Sequence, residues 1–106
     1  MNYAITFTQG AEHDLNELYD YISVHDSLDA AIHVLSKIEE QCQKLAQLPN
    51  RGHYVKELER ISLLNYREVH FKPYRIIYQV IEHEVVVHAV LDSRRELESY
   101  LYKRLY

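Results

Sequence analysis

Apolar and polar positions along the chain change period several times, and each change marks an element. Tyr3, Ile5 and Phe7 alternate with Ala4 and Thr6, which predicts a short strand with one buried face. Thr8 then offers an N-cap oxygen. Ala11, Leu15, Leu18 and Ile22 recur at helical spacing, with Asp14, Glu17 and Asp20 on other faces, so a helix is expected near 9–25. His25-Asp26-Ser27 breaks the pattern, and Asp26 or Ser27 can cap a second helix near 28–47. Its apolar stripe is Ala31, Val34, Leu35, Ile38, Cys42 and Leu45. Two consecutive amphipathic helices with a short break predict an αα-hairpin laid on a sheet. Pro49-Asn50-Arg51-Gly52 stops the second helix.

From about Asn65 the period becomes strand-like. Tyr66–Phe71, Tyr74–Ile81 and Val85–Leu91 are three candidate strands, with Glu82-His83-Glu84 as the turn between the last two. The run Val85-Val86-Val87 fits a central strand. Residues 53–64 carry no clear period, and Leu58-Glu59-Arg60-Ile61 reads as one irregular turn. Ser93-Arg94-Arg95-Glu96 matches a capping box, so a closing helix is expected from there to about Arg104. Leu97, Leu101 and Leu105 form one stripe of that helix, and Tyr100 and Arg104 share a neighbouring face. The expected fold is α+β: one small β-α-α-β-β-β-α domain over residues 1–106. Its N-terminal helical hairpin would pack on a mostly antiparallel four-stranded sheet, with a short C-terminal helix.

Composition narrows the class. A chain of 106 residues with 47% hydrophobic positions is long enough for one core and too short for two. No run approaches the roughly 18 apolar residues of a membrane span, and the start of the chain lacks a basic segment followed by an apolar one. With Cys42 as the single cysteine, an internal disulfide is excluded, and a soluble cytoplasmic protein is expected. The net charge of −4 is unevenly spread. Up to residue 50, Lys37 and Lys44 face eight acidic residues; beyond it, ten basic residues face eight acidic ones. A surface for nucleic acid or an acidic partner is therefore expected in the second half. The overall acidity speaks against a general nucleic-acid binder.

Within this order several segments resemble one family. Ala11-Glu12-His13-Asp14-Leu15 with Tyr19-Asp20-Tyr21-Ile22 is similar to the first helix of RelE/ParE superfamily toxins. Leu48-Pro49-Asn50-Arg51-Gly52 is similar to their exit from the second helix. Tyr66-Arg67, Pro73-Tyr74-Arg75-Ile76-Ile77-Tyr78 and Val87 to Arg95 resemble their central sheet and last strand. The resemblance runs through nearly the whole chain, in order. It implies the toxin of a type II toxin–antitoxin pair, held inactive by a small dimeric DNA-binding antitoxin whose flexible tail wraps the toxin. Members divide broadly into ribosome-dependent mRNA endonucleases and poisons of DNA gyrase.

The nuclease chemistry needs help in deprotonating a 2′-hydroxyl, cations for the phosphorane and a proton donor for the leaving oxygen. On the resemblance, Arg67, Arg75, Arg95 (or Arg94) and Tyr100 are the residues that could fill these roles. Two departures weaken that reading. One of two lysines expected on the strand before Arg75 falls on Glu68 or Val69, and the C-terminal tyrosine falls on Leu101, flanked by Tyr100 and Tyr102. The ParE-like branch fits better, its closing helix being similar to Arg94 through Leu101. The resemblance then implies a growth-arresting toxin that binds gyrase, with a ribosome-dependent mRNA endonuclease as the alternative. Arg75, Arg94, Arg95, Tyr100 and Arg104 are the candidate residues for target or antitoxin contact.

Each of these has a plainer role available. Arg75 can pair with Glu68 on the adjacent strand. Arg94 and Arg95 in the first turn of a helix would oppose its dipole, which favours a use in contact. The acidic residues Glu12, Asp14, Glu17 and Asp20 read as a solvated face. No pair of the seven histidines has helical i,i+4 spacing and one cysteine cannot anchor zinc, so no metal and no cofactor is expected. His70 and His88 could approach across strands, and either could act as a general base. Of ten tyrosines, Tyr3, Tyr19, Tyr74 or Tyr78 are expected in helix-to-sheet packing, and some of Tyr100, Tyr102 and Tyr106 at the surface.

Overall fold

The computed structural model describes residues 2–105, so Met1 and Tyr106 lie outside the described residues. Strand β1 (Ala4–Phe7) leads into helices α1 (Gln9–His25) and α2 (Leu28–Lys44). Strand β2 (His53–Tyr54) and the one-turn helix α3 (Lys56–Glu59) follow. Strands β3 (Tyr66–Phe71), β4 (Tyr74–Ile81) and β5 (Glu84–Asp92) and helix α4 (Glu98–Leu105) complete the chain. The expected α+β architecture is present: a helical hairpin on a mainly antiparallel sheet, closed by a C-terminal helix.

The caps follow the sequence signals. The Thr8 hydroxyl accepts from the Ala11 amide at 3.1 Å, and Ser27, rather than Asp26, accepts from the Ala30 amide at 3.0 Å. The sheet has five strands instead of four, in the order β1-β5-β4-β3-β2, with β1 parallel to β5 and the other pairs antiparallel. The added strand, β2, has only two residues, too few to show an alternation in sequence. The β4–β5 turn is also tighter than expected: Glu84 already belongs to β5, and Glu82 turns the chain at φ 55°.

A bulge in β5 decides which face each side chain meets. Ile77 pairs with Ala89 but Tyr78 pairs with Val87, so His88 is the extra residue. Val85 and Val87 therefore point to the helical hairpin, while Ala89 and Leu91 point to the other face. On the hairpin side, Ala11, Ile38, Cys42 and Leu45 pack against Ile76, Tyr78, Val85 and Val87. The opposite face has its own smaller core, in which Val55, Leu58, Leu97 and Leu101 cover Ile77, Ala89 and Leu91. Of the tyrosines expected inside, Tyr78 is fully buried and Tyr3 and Tyr74 are half-buried. Tyr19 is exposed instead, because it falls one position beyond Leu18 and off the apolar stripe.

Gly52 shows how tightly the β2 end is joined. Its amide donates to the Tyr78 hydroxyl at 3.0 Å, and that hydroxyl donates to the Pro49 carbonyl at 2.7 Å. A Cβ at Gly52 would sit 2.6 Å from both the Glu68 carbonyl oxygen and the Tyr78 hydroxyl oxygen. The backbone oxygen cannot yield as a flexible side chain would. Gly52→Ala is therefore expected to destabilise the fold by about 1–3 kcal/mol, seen as a lower urea midpoint; an unchanged midpoint would contradict the close approach.

Helix α4 starts later than the capping-box pattern predicts. The Asp92 carboxylate accepts from the Arg94 amide at 2.9 Å, and the Asp92 carbonyl from the Arg95 amide at 3.1 Å, so residues 92–95 turn instead of beginning a helix. Glu96, not Ser93, supplies the capping oxygen, accepting from the Ser99 amide at 3.2 Å. Arg94 and Arg95 thus precede the helix and do not lie in its first turn against the dipole.

Candidate functional site

Two clusters of ionised side chains dominate the sheet, and between them they hold most of the residues singled out in the sequence. The first lies on the face opposite the helical hairpin. Strand alternation puts Glu68 and His70 on that face of β3, and register places Arg75 of β4 directly across from His70. The Arg75 guanidinium grips two carboxylates. It donates to Glu68 through Nε at 2.7 Å and Nη2 at 2.7 Å, and to both oxygens of Glu57 at 2.8 Å. Glu57 comes from α3, a segment without a legible period. Glu68 is 2% exposed, and His70 Nε2 donates to its Oε1 at 2.6 Å.

The paired guanidinium holds the Glu57 carboxyl down to about 2, against the ordinary 4.5, because its hydrogen bonds favour the charged form. The same bonds, with Glu57 the larger contributor, raise Arg75 further above its usual value. Glu57 is a depressed acid, so the stability it contributes is complete above about pH 4.5 and is lost as pH falls towards 2. A melting series over that range should fall more steeply for the parent chain than for Glu57→Gln. Equal slopes would contradict the pairing.

Beside this cluster, an open depression of about 850 Å³ is bordered by His53, Tyr54, Lys72, Pro73 and Ser93. Arg67 alternates to the other face of β3: it donates to the Gly52 carbonyl at 2.7 Å and stacks 4.6 Å from the Tyr54 ring centroid.

The second cluster closes the edge of β5. Strand β1 pairs only with Glu84 to Val87, so β5 runs on beyond its partner. Side chains take over where β1 ends. Asp14 of α1 accepts the Val90 amide at 3.0 Å, and Arg104 of α4 donates to the His88 carbonyl at 2.9 Å. Arg104 also donates to both Asp14 oxygens at 3.0 Å, and the Tyr100 hydroxyl donates to Asp14 at 3.0 Å. Gly10 leaves the room this needs, since a Cβ there would lie 2.9 Å from Arg104 Nη1. Burial, followed by the charge of Asp14, raises the Tyr100 phenol above its ordinary value. Asp14 is therefore not part of the solvated acidic face expected for α1; Glu12, Glu17 and Asp20 are. Its position, three residues after Ala11 and four before Leu18, puts it within the apolar stripe, and that was the available signal.

The structure brings Tyr100, Arg95 and Arg104 together: the two guanidinium carbons lie 5.1 and 5.0 Å from the Tyr100 ring centroid. Arg75 belongs to the other cluster. Arg94 is exposed and pairs with Asp92, beside Tyr74 and Tyr21. His70 and His88 do not meet, because β4 separates their strands; His88 Nε2 donates to Gln79 Oε1 at 3.1 Å. Burial, and then the charge of Arg104, lowers the affinity of His88 for a proton. Sequence reading missed Glu57 and Asp14 as partners, and it missed His53 beside Glu68.

Residues 5–97 match the family model described as ParE toxin of type II toxin–antitoxin system, parDE. Among solved structures, the chain is similar to one from the chromosomal ParDE toxin–antitoxin system of P. aeruginosa, with TM-score 0.71 and 21% identity over 85% of this chain and 95% of that one. It is also similar to a chain of the RelBE2 toxin–antitoxin complex of Mycobacterium tuberculosis, with TM-score 0.65 and 22% identity over 87% of this chain and 99% of that one. At these identities the likeness is one of fold. No curated protein matches the chain. Among the described residues, no helix is long and apolar enough to cross a membrane.

Proposed function

Because the chain belongs to the family of ParE toxins of type II toxin–antitoxin systems, we propose that it arrests growth in the ParE-like manner, by binding and poisoning DNA gyrase without cleaving RNA. A small dimeric DNA-binding antitoxin neutralises it by folding a flexible tail on its surface. The observation that carries this reading is the engagement of three groups that RNA cleavage would call on. Arg75 is enclosed by Glu57 and Glu68, Arg67 is held by backbone carbonyls, and the Tyr100 hydroxyl is committed to Asp14. A carboxylate beside the guanidinium repels a phosphate that the guanidinium alone would attract. Leu101, where the nucleases place their tyrosine, is fully buried core.

Of the candidate arginines, Arg94 and Arg95 are the exposed ones, open to a target. Arg94 is paired only in an exposed contact, which is weak enough to exchange for an acidic partner. The test uses purified toxin with gyrase and relaxed plasmid, and in parallel with ribosomes on a defined mRNA. The expected result is inhibited supercoiling with intact mRNA. Cleaved mRNA with normal supercoiling would overturn the proposal in favour of the ribosome-dependent endonuclease.

A further inference from the structure

We propose that His53, Glu68 and His70 form a zinc site at the inner wall of the open depression, independent of the toxin mechanism. The sheet builds this set by register. His53 on β2 is the direct cross-strand partner of Glu68 on β3, and His70 lies two residues further along β3 on the same face. One ligand atom from each residue lies within 4.8 Å of the other two, and the two imidazole rings stand edge to face at 5.2 Å. Two imidazoles and a carboxylate are a donor set suited to zinc, with further positions left to water from the depression.

The surroundings favour the ion. His53 Nδ1 lies 3.0 Å from the Tyr54 carbonyl oxygen, which can only accept, so Nδ1 carries the proton and Nε2 keeps the lone pair. Such a backbone bond orients a ligating imidazole. Glu68 and Glu57 both pair with Arg75, so the group holds two carboxylates against one guanidinium. That surplus negative charge suits a cation; Lys56 and Lys72 border the depression but are exposed, where solvent screens them. The His70 Nε2 to Glu68 Oε1 hydrogen bond of 2.6 Å marks where the ion enters. Zinc takes the place of the shared hydrogen on Nε2, the neutral His70 ring exchanging that hydrogen through solvent for one on Nδ1, and the two atoms spread to about 3.3 Å, the tetrahedral separation. His70, whose side chain is 37% exposed, has the freedom to move that far. The bound ion ties the two-residue β2 to the sheet.

The test is calorimetric titration of the untagged chain with zinc chloride, with melting curves alongside. One equivalent should bind and raise the Tm, whereas magnesium at the same concentration should not. His53→Ala and His70→Ala should each weaken binding tenfold or more, and His53→Ala, whose side chain is exposed, should leave the metal-free Tm near that of the parent. His13→Ala, which removes the exposed His13–Glu17 pair on α1, should leave zinc affinity unchanged. Absence of binding, binding that survives both sheet substitutions, or binding lost in His13→Ala would each overturn the proposal.

Discussion

Asp14→Ala is expected to lower the stability of the chain by about 3–5 kcal/mol, the usual cost of breaking a buried ion pair from one side. The substitution removes the acceptor of the Val90 amide and leaves it without a partner. It also strips Arg104, only 20% exposed, of its counter-charge while that guanidinium still lies on the β5 carbonyl. Tyr100 loses the oxygen its hydroxyl bonds to. Because the cluster stands where β1 stops, the loss also uncovers a strand edge, and open edges recruit other chains. Thermal melting should show a fall in Tm of more than about 10 °C, with a stronger tendency to aggregate. Asp14→Asn should be milder, since an amide oxygen can still accept from Val90. A parent-like melting curve for Asp14→Ala would show that the edge is closed by something else.

The second large effect concerns Arg75. Arg75→Ala leaves the buried Glu68 carboxylate without its guanidinium partner, keeping only the hydrogen bond to His70, and the expected destabilisation is again about 3–5 kcal/mol. Loss of toxicity in that variant would therefore report loss of fold before it reported any lost chemistry. Apolar replacement of the whole group separates the two, because well-packed hydrophobic residues commonly substitute for a buried ion cluster at little cost or with a gain. The chain with Arg75→Met, Glu57→Leu and Glu68→Leu together should recover most of the stability that Arg75→Ala loses. If the triple variant is no more stable than the single one, the cluster is not what holds α3 on the sheet.

The fold was legible wherever one side chain in two, or one in three to four, met a core. Both long helices and β3 through β5 announce themselves in that way. Residues 53–64 do not: β2 is two residues long, and α3 is a single turn anchored by Val55 and Leu58. That gap hid Glu57 and, with it, the fate of Arg75. The contact with Glu68 could be anticipated, because neighbouring strands place those side chains on one face. Asp14 meets the Val90 amide 76 positions away, and no local pattern records such a contact. At α4, Ser93 and Glu96 satisfy the capping-box pattern, yet the carboxylate of Asp92 captures the Arg94 amide first. A capping motif names residues able to cap; competition from an adjacent acid decides which one does.

The engagement of Arg75 as a structural cation is the claim on which the non-nuclease reading rests. Its most direct test is growth arrest by the apolar triple variant, induced without antitoxin, beside the parent chain and after melting curves have shown that it folds. The predicted result is arrest equal to the parent's. A stably folded triple variant that lets cells grow would mean that the Arg75 guanidinium acts on the target, and would contradict the account.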